Sequence, residues 1–225
     1  MSYDKHVSVF SPEGRIYQAE YAVKSVSLAP TGLAVQCKDG TVFVAEIQRS
    51  SPLQICPLQF QQIDKHIIAL PIGYTSDARV LISFLRTEAQ SHWFNFEEPV
   101  PIQLLAEQLS EKYTNFGKQL KNESKMGRPF GCAVLMATKS ELYYCDPAGN
   151  ATLYKAKAAG QGGDTAQDEL EKQYKNSWTV EDGLKAAVNI MKGVVEGGPE
   201  VIQACVLDKD GYRALTPEQI TKLIE

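Results

Sequence analysis

The residues able to do chemistry are few and scattered. Three histidines, His6, His66 and His92, lie far apart and not at metal-ligand spacing. A serine–histidine–acid set assembles in space, so separation alone does not exclude one. No Gly-x-Ser-x-Gly elbow or comparable marker accompanies these residues, however. The five cysteines (Cys37, Cys56, Cys132, Cys145 and Cys205) are odd in number, widely spaced and mostly set among apolar neighbours. Without a C-x-x-C pair they read as reduced, mostly buried thiols of a cytosolic protein rather than zinc ligands or a disulfide framework. Gly160-Gln-Gly-Gly163 lacks both the Gly-Lys-Ser/Thr ending of a phosphate loop and the spaced third glycine of a dinucleotide fingerprint, so it reads as a strand-to-helix turn. Glu97-Glu98, before Pro99, reads as solvated loop. Residue types alone give no catalytic, metal or cofactor site.

Spacing along the chain is more informative. Ser11-Pro12-Glu13 is a helix-start signal, with Ser11 as N-cap and Pro12 at the first helical position. Ile16, Ala19, Val23 and Val26 then recur at helical spacing, which predicts a helix over 14–28. Two strands, 33–37 and 42–45, flank Lys38-Asp39-Gly40-Thr41, where Asp-Gly favours a tight hairpin. A second strand pair is expected at 61–63 and 67–72. Asp77 is the expected N-cap of a long helix whose stripe of Val80, Leu81, Phe84, Leu85 and Ala89 runs towards Trp93. Leu104, Leu105, Leu109 and Phe116 mark a second helix after Pro101. Strands follow at 132–137, 141–145 and 151–154, then helices at 164–174 and 180–195, the latter capped by Thr179. A hairpin at 201–207 and 212–215 and a short helix begun by Thr216-Pro217-Glu218 complete the chain. Clustered strands alternating with helix pairs predict an α+β fold, antiparallel sheets packed together with helices outside, in one domain.

Composition fits this frame. The 225 residues are 44% hydrophobic and 22% charged, which suits a globular chain able to bury a core without staples. A net charge of −4 gives no electrostatic reason to expect nucleic acid or an anionic membrane as partner. No window approaches the ~20 apolar residues needed to span a bilayer, and residues 1–10 lack the pattern of a secretory signal.

Residues 10–22, Phe-Ser-Pro-Glu-Gly-Arg-Ile-Tyr-Gln-Ala-Glu-Tyr-Ala, closely resemble the N-terminal signature of proteasome alpha subunits. The likeness continues in order through Ser76-Asp-Ala-Arg79, Arg128-Pro-Phe-Gly131, Cys145-Asp-Pro-Ala-Gly149 and Lys155-Ala-Lys-Ala-Ala-Gly160, and so covers essentially the whole chain. Within that family, residues 144–160 are most similar to the alpha-1 (alpha type-6) branch, whereas Gln90-Ser-His92 before Trp93 is similar to alpha-5. The resemblance implies a four-layer αββα sandwich of the N-terminal-nucleophile hydrolase type with an added N-terminal helix. It divides the single domain 1–225 into a gate tail and turn at 1–13, a helix at 14–28 and the sandwich at 31–225. Catalytic beta relatives attack with an exposed N-terminal threonine whose own amine serves as base. Aligning Lys38-Asp39-Gly40 on the family hairpin puts Pro30 at the threonine position and Thr31 one step later, with the acidic position near Glu46 and the essential lysine near Gln59.

The resemblance therefore implies a non-catalytic subunit without cofactors, set in a seven-membered alpha ring in the cytoplasm and nucleus. Its implied partners are other alpha subunits, beta subunits and regulatory ATPase particles, with no nucleic acid and no membrane. Gate-organising residues carry over to Tyr3, Asp4, Pro12 and Tyr21, with Lys5 where arginine is usual. Lysine keeps the charge but loses the planar, bidentate fork. Positions of the activator-tail pocket carry over to Ile16, Ala29 and Gln59, where the usual glycine is Ala29 and the usual lysine is neutral Gln59. An active hydrolase processed near Thr31 is the alternative.

Overall fold

The computed structural model describes residues 8–49, 51, 53–117 and 127–224. Among these described residues, ten strands form two wholly antiparallel five-stranded sheets. The first contains β1 (Gly32–Gln36), β2 (Gly40–Glu46), β8 (Ala156–Ala159), β9 (Ile202–Asp208) and β10 (Gly211–Ala214), in the order β10-β9-β2-β1-β8. The second contains β3 (Gln61–Asp64), β4 (Ile67–Gly73), β5 (Cys132–Ala137), β6 (Leu142–Cys145) and β7 (Ala151–Tyr154), in sequence order.

Alternation along the strands builds three apolar layers. Leu33 and Val35 of β1, with Val42 and Val44 of β2, face α4 (Gly163–Gln173), α5 (Val180–Val194) and α6 (Pro217–Ile224). Ala69, Val134 and Met136 of the other sheet face α2 (Thr75–Phe96) and α3 (Ile102–Thr114). The opposite strand faces meet each other: Ala34, Phe43, Cys205 and Leu207 pack against Ile68, Leu70, Ile72 and Leu135. The result is helices, sheet, sheet, helices, the four-layer αββα sandwich the resemblance implied. Sheets buried on both faces explain why the strands read as apolar runs rather than as a clean alternation.

The remaining helix, α1 (Tyr17–Val26), packs across the ends of β4 and β5. Only Ala22 and Val26 of it are buried, and Val26 reaches the inter-sheet core. This helix is shorter than the expected 14–28, and Ser11 does not cap it. The Ser11 amide donates to Arg15 O at 2.8 Å, Gly14 N–H donates to Ser11 O at 2.9 Å, and Arg15 N–H donates to Ser11 Oγ at 3.2 Å. Ser11, Pro12 and Glu13 thus belong to a closed turn, and Gly14 at φ +77° breaks helical geometry before the helix begins.

Asp77 is likewise not an N-cap. It lies inside the first turn of α2, and its buried carboxylate accepts from Arg128 at 2.7 and 2.8 Å and from Gly131 N–H at 2.8 Å. The Arg128 guanidinium, with help from the Gly131 amide, holds its pKa below the ordinary carboxylate value. The reading of Thr179 does match the structure, because it forms a capping box with Asp182 at the start of α5. Strand β8 escaped sequence reading. Ala-Lys-Ala-Ala has no β-branched or aromatic residue, and its pairing with β1 rather than its propensity makes it a strand.

Candidate functional site

The end of the sandwich beneath α1 gathers the residues aligned with catalytic positions. Thr31, 2% exposed, precedes β1. Its N–H donates to the Glu46 carboxylate at 2.8 Å, and Glu46 N–H donates back to Thr31 O at 2.8 Å. Thr31 Oγ accepts from Gly162 N–H at 3.0 Å, and the neighbouring Gln161 N–H donates to Ala29 O at 2.8 Å. The glycine-rich turn 160–163 can approach this closely only without side chains. A Cβ on Gly160, whose φ is +108°, would stand 2.6 Å from Pro30 O and 2.7 Å from Thr31 Cα.

Gln59 completes the cluster. Its side-chain amide donates to Glu46 O at 2.5 Å, and its own N–H donates to Gln203 Oε1 at 3.0 Å, while Gln203 Nε2 donates to Pro57 O at 3.3 Å. Thr31, Glu46 and Gln59 are therefore brought together, but each is occupied in holding backbone. The Thr31 nitrogen is an amide joined to Pro30, not a primary amine, and the position aligned with a lysine carries a neutral amide. Nothing in this cluster supplies the basic nitrogen that such a hydroxyl needs to become a nucleophile.

The turn and α1 face outward. Pro12 is exposed, and Tyr21 is 54% exposed and stacked on Tyr17 at 6.4 Å. Arg15 lies over Tyr17 at 5.1 Å and grips Glu20 with both ends of its guanidinium, which lowers the Glu20 pKa and raises that of Arg15. Val9, Phe10, Val23 and Leu28 add exposed apolar area along the same segment. Ile16 is the half-buried N-cap residue of α1, and Ala29 is buried against the inter-sheet core. Tyr3, Asp4 and Lys5 lie outside the described residues.

The other candidate groups serve the fold. A ring nitrogen of His66 pairs with Val100 O at 2.9 Å, and one of His92 pairs with Glu98 O at 3.2 Å. All five thiols are free, and burial pushes Cys37, Cys132 and Cys145 up to about 12, which leaves them protonated and unreactive. Among the described residues no cluster of histidine, cysteine or acidic side chains could hold a metal. A cleft of about 530 Å³ lies beside α2, lined by Ile63, His66, Trp93 and Pro99, away from Thr31. No described helix is long and apolar enough to cross a membrane.

Comparison with known proteins decides the family. The family described as "Proteasome subunit" matches residues 26–207, and the proteasome A-type N-terminal signature matches residues 3–24. The chain belongs to the proteasome alpha-subunit family. The proteasome alpha subunit of Thermococcus sibiricus is 37% identical over 99% of this chain and 87% of its own length. The proteasome alpha type-5 subunit of Dictyostelium discoideum is 38% identical over 86% of this chain and 82% of its own, and that of Trypanosoma brucei brucei is 36% identical over 86% and 81%. These relatives bear on the alpha family and not specifically on the alpha-1 branch that residues 144–160 resemble. In this alpha-family chain, sequence reading missed the Gly162 amide and Gln203. A glutamine in the otherwise apolar run Ile202–Leu207 was the available signal for the second.

Proposed function

We propose that this proteasome alpha-family chain is a non-catalytic subunit of the seven-membered outer ring of a 20S core. In this reading it contacts neighbouring alpha subunits, stacks on a beta ring, and works in the cytoplasm and nucleus. The observation that carries the reading is Thr31 itself: buried, preceded by Pro30, its amide on Glu46 and its hydroxyl on Gly162. That arrangement supports a subunit whose work lies in contacts rather than bond cleavage. Native mass spectrometry of the particle carrying this chain tests the reading. Seven-membered rings containing it are expected, and a chain found only as free monomer overturns the proposal.

Gating and docking extend it. Tyr3, Asp4, Lys5, Pro12 and Tyr21 would organise the pore-closing segment, which the outward turn and the Tyr17–Tyr21 stack support. The pocket position Gln59 is neutral and already donates to Glu46 O, so a carboxylate-ended activator tail lacks its strongest partner there. Regulatory ATPase tails should dock weakly in the pocket that uses Gln59. Tail-peptide binding to assembled rings should strengthen with Gln59→Lys, and equally strong binding to the unaltered ring would contradict this.

A further inference from the structure

We propose that Lys157 is a charged plug that closes the β7/β8 flank of the sandwich to strand addition by a second copy of the chain. β7 and β8 are consecutive strands that form edges of the two sheets. An edge strand offers unpaired N–H and C=O groups to any passing strand, and an inward-pointing charge is one way to prevent that pairing. In β8 the sequence Ala-Lys-Ala-Ala leaves Lys157 as the sole charge.

Register fixes its direction. Lys157 stands opposite Ala34, which is fully buried in the inter-sheet core, and Ala159 two residues on lies in that core as well. Paired residues share a face, so Lys157 points between the sheets and not towards α4. Its Nζ lies 5.3 Å from the ring centroids of both Tyr144 and Tyr154, which meet edge to face at 6.3 Å and pack against the core. The ammonium is thereby held between two aromatic rings at the mouth of the apolar layer.

A second feature acts on the backbone. Gln167 of α4 accepts the Ala158 N–H at 3.0 Å, and its own amide is steadied by Glu171 at 3.0 Å. An incoming strand would have to displace Gln167 and desolvate a cation that has aromatic faces but, among the described residues, no carboxylate in an ion pair with it.

The test uses the full chain with Lys157→Met, which keeps the length and apolar stem and removes the charge, beside Lys157→Arg. Hydrogen exchange at β8 is followed against protein concentration, with sedimentation velocity on the same samples. In the methionine variant, exchange at Ala156–Ala159 should slow roughly tenfold as concentration rises, with larger species appearing, while the arginine variant behaves as the unaltered chain. A folded methionine variant with concentration-independent exchange equal to that of the unaltered chain overturns the proposal. Should the methionine variant not fold, Lys157→Gln carries the same test: the charge is gone, concentration-dependent protection is expected, and its absence is equally fatal.

Discussion

Two neighbouring regions of this molecule treat polar and apolar groups in opposite ways. Around Thr31, its N–H is spent on the Glu46 carboxylate, while its Oγ and the side chains of Gln59 and Gln203 are spent on backbone groups, and glycines bring main chains together where side chains would not fit. A few residues earlier in sequence, the turn and α1 leave Phe10, Tyr21 and Leu28 in water and bury only Ala22 and Val26 from the helix. A domain selected for its own stability has no reason to expose that stripe, and one selected for nucleophilic chemistry has no reason to seal its hydroxyl. The contrast teaches that the residues aligned with the family's catalytic positions are here built as a closed structural junction, while the helix before them keeps its apolar side chains at the surface, as the proposed ring contacts would require.

Substitutions can break the contrast, beginning with the inner region. Gly160→Ala combines a positive φ with a Cβ 2.6 Å from Pro30 O, so it should destabilise by about 3 kcal/mol, read from denaturant unfolding. A loss under ~1 kcal/mol would mean that the junction is loose. Thr31→Val keeps the shape but leaves the Gly162 N–H without its acceptor, which should cost ~1–3 kcal/mol. The same variant should leave peptide hydrolysis by the assembled particle unchanged.

Asp77 supports the outer region, because the Gly131 that it holds packs beside Ser25 of α1. Its folded pKa is depressed, so its contribution is fully present above the ordinary carboxylate value of about 3.9 and is lost as pH falls through the lower folded value. Arg128 is more than half exposed, so the screened contribution should be ~1 kcal/mol. Asp77→Asn should remove that part of the acid-side slope in a pH series of unfolding curves. At the outer surface, Tyr21→Ala should change stability by less than ~0.5 kcal/mol, yet reduce incorporation into rings measured by native mass spectrometry. A large stability loss with normal incorporation would reverse the contrast.

Much of the sandwich was legible because apolar periodicity and turn chemistry agreed. Asp39-Gly40 makes the β1–β2 hairpin, and Thr179 with Asp182 caps α5. The misreadings have local causes. Ser11 looks like a helix cap by type, but Gly14 at φ +77° ends the turn and delays the helix. Asp77 looks like a cap until Arg128, distant in sequence, claims its carboxylate. β8 is invisible to propensity because β1 recruits it from outside. The Thr31 junction was legible only in outline. Hairpin alignment brought Thr31, Glu46 and Gln59 into view, whereas the Gly162 amide and Gln203 meet them through contacts between residues more than a hundred positions apart.

The central claim is that Thr31 remains an internal residue of a working subunit. Intact mass measurement of this chain, released from the purified particle, tests it most directly. The expected result is a mass in which the Pro30–Thr31 bond is uncut. A chain whose mass begins at Thr31, with a free amine beside that hydroxyl, would contradict it and restore the chemistry of an N-terminal nucleophile.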